Sequence, residues 1–145
     1  MEEYSWVHFA CHAFQKYSPF ESAFLLHDGV LTLEELTKRK FENKGLAFLS
    51  ASETAVGDHE LPDEALHLAS GMLIAGYPSV IATISTFMDE DAPMIADVVY
   101  SELLKDGNMD HTRSSRALHK AIKTLREKVG DQAVERWACF IHIGM

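Results

Sequence analysis

Short apolar runs alternate along the chain with longer segments in which apolar residues recur at helical spacing. The runs predict core strands over about 6–11, 46–50, 79–85 and 138–143. Alternation of this kind is typical of an α/β fold, in which crossover helices cover a largely parallel sheet. We therefore expect one sheet with helices packed on its faces.

Local signals add a hairpin and four helices to this outline. Asp28-Gly29 separates two apolar runs and predicts a tight turn, because glycine adopts the positive φ that such a turn requires. Thr32 and Glu35 have the spacing of a capping box at the start of a short helix that ends before Gly45. Three longer helices are expected over about 62–76, 89–105 and 112–128.

Length and composition favour a single domain over residues 1–145, because a hydrophobic content of 47% is enough for a real core. The net charge is −9 and no dense Lys/Arg cluster is present, which argues against a nucleic-acid partner. No apolar run is long enough to cross a bilayer, and no secretory signal begins the chain. Cys11 and Cys139 both lie in predicted strands, a usage that favours a reducing, cytoplasmic location.

Two of the predicted strands end in small-residue turns that carry a polar side chain. The first run leads to His12, and the second leads through Ser50-Ala51 to Ser52. The carboxyl ends of neighbouring parallel strands share one edge of a sheet, where reactive groups are commonly presented. An imidazole and a hydroxyl are therefore candidates for one site, although each is also compatible with an ordinary strand-to-loop turn.

The order of these segments resembles the CHAT family, a group of caspase-like, clan CD cysteine peptidase domains often found at the C-terminal end of tetratricopeptide-repeat proteins. The chain looks most similar to fungal members. The resemblance implies a three-layer caspase-like fold with a mostly parallel sheet, here without the first strand–helix units. It is carried by residues 12–13, 28–33, 46–58, 63–71, 79–83 and 137–144.

The resemblance also implies a catalytic His–Cys dyad. His12 matches the family histidine, and Ser52 stands where the family has cysteine. The oxyanion is expected to be held at Ala13 and Ser52, with Ala13 in place of the usual glycine. Ser85 stands where the family often has tryptophan.

Replacing the thiol with a hydroxyl weakens the expected chemistry. A cysteine with a pKa of about 8.5 is partly ionised near neutrality, whereas a serine must lose its proton to a well-oriented base during attack. Nothing in the sequence places a carboxylate behind His12 to orient that base. We therefore expect the domain to be catalytically inactive as written, a pseudoenzyme of a hydrolase family.

An active serine peptidase is the less favoured possibility, and two explanations of Ser52 stay open. A natural change would leave a protein-interaction or scaffold module that uses the old substrate groove. An engineered Cys-to-Ser change would describe an active parent. The further changes at Ala13 and Ser85 favour natural drift, because silencing an enzyme does not require them.

Acidic residues follow the second and third core strands. Glu53 and Asp58 lie closest to Ser52 and are the predicted substrate-binding residues, and residues 89–91 follow the next strand. Such a surface would favour a basic peptide, with Arg or Lys at the cleaved bond. The alternative is that the carboxylates near Pro62 and Pro93 complement helix macrodipoles.

No cofactor or metal is expected. The glycines form neither a phosphate-binding loop nor a dinucleotide fingerprint, and no compact Cys/His pattern of a zinc site is present. His8 and His12 would lie about 13 Å apart if they shared one strand, too far to bind one ion.

The strand before His12 begins close to Met1 and is expected to lie at an open edge of the sheet. An unpaired edge strand is an association site. We therefore expect either pairing with a second copy or contact with an upstream repeat domain, in which case the chain is a fragment of a larger protein.

Overall fold

The computed structural model of the protein describes residues 1, 3–14, 21–51 and 65–145. Its main sheet has four strands. In spatial order they are β1 (Val7–Phe9), β5 (Leu46–Leu49), β6 (Ser79–Thr83) and β7 (Phe140–Gly144). The first three run parallel, and β7 is antiparallel to β6. The predicted α/β architecture with a mostly parallel sheet is confirmed.

Both faces of this sheet are buried, which explains why β5 is apolar throughout and β6 is apolar between Ser79 and Thr83. On β5, Ala47 and Leu49 face one hydrophobic core, whereas Leu46 and Phe48 face the other. The alternation follows from the two-residue period of a strand. Every residue of β5 and β6 is buried, so these two strands form the centre of the fold.

A second sheet contains β2 (His12–Phe14), β3 (Ala23–Leu26) and β4 (Gly29–Thr32), all antiparallel. The predicted hairpin is present, with its turn at His27-Asp28 before Gly29. The predicted strand over 6–11 is confirmed only at Val7–Phe9, because the chain leaves the main sheet after Phe9 and His12 begins a strand of the second sheet. Cys11 therefore lies in a bend and not in a strand.

The helices on the first face of the main sheet are α1 (Leu33–Lys38) and α2 (Ala65–Ile74). The predicted capping box is present at α1, where the Glu35 N–H donates to the Thr32 hydroxyl at 3.1 Å and the Thr32 N–H donates to the Glu35 carboxylate at 3.0 Å. Gly76, at φ +109°, follows α2 and ends that run as predicted. The predicted start of α2 near Pro62 lies outside the described residues.

Three further helices cover the other face: α3 (Asp91–Leu104), α4 (Ser114–Val129) and the short α5 (Val134–Trp137). A single 3₁₀ turn, His111–Arg113, precedes α4. The expected apolar face of α4 is confirmed, because Ala117, Leu118, Ala121 and Leu125 are buried. The molecule thus has three layers, helix, sheet and helix, an arrangement consistent with a caspase-like fold.

In the part of the chain that the structure describes, β1 is an end strand of the main sheet, in agreement with its expected edge position. Every described helix falls short of the length and apolar character that a bilayer crossing requires.

Candidate functional site

A cleft of about 460 Å³ opens where β1 and β5 end. Because the two strands are parallel, their carboxyl ends meet at the same edge of the main sheet. One wall belongs to the chain that leaves these strands: His8, Ala10, Cys11, His12 and Ser50. The opposite wall belongs to the connection after β6 and the first turns of α3: Phe87, Asp89, Ala92, Pro93 and Ala96.

The structure brings one of the predicted catalytic residues to this cleft. His12 is the first residue of β2, and its exposed side chain lines the cleft wall. Ala13, the predicted oxyanion residue, lies opposite Phe24 in the second sheet and turns its side chain into the hydrophobic core. Ser52, Glu53 and Asp58 lie outside the described residues, so the dyad geometry stays a prediction.

Another imidazole, that of His8, meets a hydroxyl in the same cleft. Nε2 of His8 and Oγ of Ser50 form a hydrogen bond at 2.6 Å. In the register of the parallel pair, His8 lies opposite Phe48, and Ser50 is two residues further along, on the same side of the sheet. The His8 side chain therefore reaches diagonally forward across the strand pair to the first residue after β5.

Aromatic packing holds the His8 ring in place. The imidazole stacks on Phe48, with ring centroids 4.6 Å apart and an interplanar angle of 6°. The Tyr100 ring of α3 packs against both, and its centroid lies 5.8 Å from the centroid of each of these rings. Burial lowers the pKa of His8 below its usual range and raises the pKa of Tyr100 to about 12. Both groups are therefore neutral near pH 7.

This pair was not predicted from the sequence, which assigned the site to His12 and Ser52. The available signal was that Ser50 precedes Ser52, and His8 precedes His12, by an even number of residues. The contact itself depends on the register between β1 and β5, which no local pattern defines. The expectation that His8 and His12 share one strand was also wrong, since a bend separates them and both line the cleft.

Cys11 supplies a half-buried thiol to the same wall. Burial raises the pKa of this thiol, so it is protonated near neutrality and lacks the thiolate character of a cysteine nucleophile. The Cys11 thiol is therefore not activated for nucleophilic attack.

Of the three acidic residues after β6, only Asp89 lines the cleft. Asp91 is fully buried and accepts hydrogen bonds from Nε and Nη2 of Arg136 at 2.8 and 2.6 Å. Glu90 accepts a third hydrogen bond from the same guanidinium at 2.5 Å. Arg136 thus binds two of the three carboxylates, and the third, Asp89, lines the described part of the cleft wall.

Within residues 1, 3–14, 21–51 and 65–145, no group of three or more His, Cys, Asp and Glu side chains is arranged to hold a metal ion. The arrangement in the cleft is instead suited to proton transfer, because imidazoles and a hydroxyl line a partly apolar wall.

The family model described as the CHAT domain matches residues 1–145, the whole length of the chain. No curated protein matches the chain.

Proposed function

The chain belongs to the CHAT domain family, and we propose on this basis that it is a caspase-like module that binds a peptide or protein segment in the cleft without cleaving it. In this proposal His12 occupies the histidine position of a clan CD dyad, and Ser52 replaces its cysteine. The likeness to fungal members stays a prediction.

The observation that carries the proposal is the position of the cleft. It opens at the carboxyl edge of the parallel strands, and His12 lines it. Ligands of open α/β sheets bind at this edge, because the loops that follow the strands converge there. A cleft of about 460 Å³ has room for a few side chains of an extended peptide.

Loss of cleavage follows from the chemistry of residue 52. A serine hydroxyl requires a base held in one orientation, usually by a third group. His12 is exposed, in contrast to the packed ring of His8. An exposed imidazole is a weaker activator of a hydroxyl than of a thiol, which ionises far more readily.

The charge of the cleft supports a basic partner. Asp89 is the carboxylate on the described part of the wall, and Glu53 and Asp58 would add to it if they lie nearby. A positively charged peptide is favoured by such a wall, and nucleic acid is disfavoured by the net charge of −9. The free thiols of Cys11 and Cys139 suit a cytoplasmic location.

Association through the sheet edge is part of the same proposal. In the described chain, β1 is an end strand of the main sheet, and its free edge can pair with another strand. A second copy of this chain is the simplest partner, because the purified protein already contains it. Sedimentation of the purified chain would test this, and a monomer at all concentrations would direct attention to an upstream repeat domain instead.

The decisive experiment restores the thiol. The Ser52→Cys protein and the unmodified chain are incubated with a library of basic peptides, and cleavage is followed by mass spectrometry. Cleavage by the Ser52→Cys protein alone, lost again in the Ser52→Cys/His12→Ala double variant, supports a disabled peptidase or an engineered inactive form. Peptide binding without cleavage by either protein supports a pure interaction module.

One outcome contradicts the proposal. If the unmodified chain cleaves peptides and Ser52→Ala abolishes the cleavage, the domain is an active serine peptidase.

A further inference from the structure

Ser50 and His8 form a hydroxyl–imidazole pair that the proposed peptide site does not use. The hydrogen bond between Nε2 of His8 and Oγ of Ser50 is 2.6 Å long and lies on the cleft wall. Ser50 is two residues before Ser52, the position at which the family has cysteine. A nucleophile and a base within hydrogen-bond reach are the two minimum components of covalent acyl transfer. Both components are already assembled here in the free protein.

We propose that Ser50 is a second nucleophile of this domain, with His8 as its general base, and that the pair takes the acyl group of small neutral esters. The proposal does not rest on the peptide site, because the two use different hydroxyls and different imidazoles. It assigns to the cleft an esterase-like acyl transfer.

The packing of His8 suits it to this role. A general base must hold one orientation and be unprotonated at the working pH. Stacking on Phe48 and contact with Tyr100 restrict the ring, and the partial loss of solvent keeps it neutral. In the neutral ring with its proton on Nδ1, Nε2 accepts the hydrogen bond that the Ser50 hydroxyl donates.

The position of Ser50 is equally fixed. Its N–H donates to the carbonyl of Phe9 at 3.0 Å, which continues the β1–β5 pairing by one residue. The residue is only 9% exposed, and it contributes to the cleft wall. The hydroxyl is therefore held at the end of a central strand and is reached from the cleft.

The chemical step balances without a cofactor. The Ser50 oxygen attacks the ester carbonyl carbon and forms a new C–O bond, while His8 Nε2 takes the hydroxyl proton. The tetrahedral intermediate expels the alcohol, and His8 returns the proton to the leaving oxygen. Water then attacks the acyl carbon while His8 Nε2 takes a proton from it. The bond between the acyl carbon and the Ser50 oxygen breaks, His8 returns the proton to that oxygen, and the carboxylic acid leaves.

The wall opposite Ser50 limits the acyl group. Phe87, Ala92, Pro93 and Ala96 are apolar, and Asp89 disfavours an anionic substrate. A short, uncharged acyl chain fits both features. Because the Ser50 N–H is already bonded to Phe9, it is not free to hold the oxyanion, and we expect turnover to be slow.

Covalent labelling is thus a more sensitive readout than turnover. The full chain is treated with an alkyl fluorophosphonate, which transfers its phosphorus to an activated serine oxygen with loss of fluoride. We expect one adduct per chain by intact mass. The flanking tryptic sites are Lys44 and Lys105, so Ser50 and Ser52 fall in one peptide and fragment ions between them locate the label.

Matched variants isolate this pair. Ser50→Ala should abolish labelling, and His8→Gln should slow it by about 100-fold. Ser79→Ala and His142→Gln change a second, partly buried hydroxyl–imidazole pair that does not line the cleft, and both should label at the unmodified rate. Circular dichroism checks that each variant is folded, and Ser50→Cys, which keeps a side chain of similar size, should lose the phosphonate adduct if Ser50→Ala does not fold.

Three results would overturn the proposal: no adduct on the unmodified chain, an adduct on Ser52, or equal labelling rates for the unmodified and Ser50→Ala proteins. Hydrolysis of p-nitrophenyl butyrate gives a second readout, and the rate should fall about tenfold or more in the Ser50→Ala protein. These results do not affect the peptide-binding proposal, which the Ser52→Cys and His12→Ala proteins test separately.

Discussion

The buried carboxylate of Asp91 is bound by the guanidinium of Arg136 through two hydrogen bonds of 2.8 and 2.6 Å. Asp91 is the first residue of α3, where a carboxylate also complements the positive end of the helix dipole. Arg136 lies on α5, 45 residues away in the sequence. The pair therefore ties the start of α3, one wall of the cleft, to the segment that leads into β7.

Removing the Arg136 side-chain charge should destabilise the protein strongly. In an Arg136→Met protein, Asp91 would remain fully buried without a cation, a situation that costs about 3 kcal/mol of unfolding free energy or more for a buried carboxylate. Urea unfolding measures the change. Glu90→Gln is the matched control, because Glu90 is mostly exposed and its contact with the same guanidinium should contribute little. Equal effects of the two changes would contradict the assignment.

Asp89 should select for positive charge in a bound peptide. The Asp89→Asn protein is expected to bind an arginine-containing peptide about twofold to fivefold more weakly, the range typical of an exposed ion pair. Fluorescence anisotropy at low salt measures the affinity, and a peptide with citrulline in place of arginine should not distinguish the two proteins. If the Asp89→Asn change lowers the affinity for both peptides by the same factor, Asp89 acts through the shape of the wall and not through its charge.

The capping box at the start of α1 should contribute measurably to stability. Thr32→Ala removes the hydroxyl that accepts from the Glu35 N–H, and such a loss costs about 1 kcal/mol. Thr32→Ser keeps the acceptor and serves as the control in thermal unfolding. The effect should reach the second sheet, since Thr32 is also the last residue of β4. A Thr32→Ala protein as stable as Thr32→Ser would show that the box is not formed in solution.

Stability should fall as the pH drops below the ordinary imidazole pKa of 6.5. Burial lowers the pKa of His8 and His142 in the folded state, so the unfolded chain binds more protons in this range. Their contribution is present above pH 6.5 and is lost as the pH falls through the lowered folded-state pKa. Unfolding by urea at pH 7 and pH 5 measures how much the free energy of unfolding changes with pH, and His142→Gln should reduce that change. An unchanged pH dependence in both His142→Gln and His8→Gln would contradict this account.

Local sequence signals predicted much of the fold because they act over short distances. Three features depend on residues that are close together in the sequence: the Asp28-Gly29 hairpin, the Thr32 capping box and the apolar stripe of α4. The division of residues 6–14 between β1 and β2 escaped prediction, because alternating apolar residues favour extended chain without specifying the sheet in which it pairs.

The candidate site was predicted in part for the same reason. His12 reaches the cleft because it follows a strand, a property that can be read from the sequence. The contacts of His8 with Ser50 and of Arg136 with Asp91 join residues more than 40 positions apart, and they depend on strand register and helix placement. Side-chain pairs of this kind have no local signature.

The two histidines of the cleft belong to different sheets. His8 lies in β1 of the main sheet, and His12 pairs with Leu25 of the β3–β4 hairpin. The short connection at Ala10 and Cys11 separates the two histidines. The spacing of the two imidazoles therefore depends on how the two sheets pack against each other, and the stacking of Phe9 on Phe24, with ring centroids 4.7 Å apart, fixes that packing close to the bend.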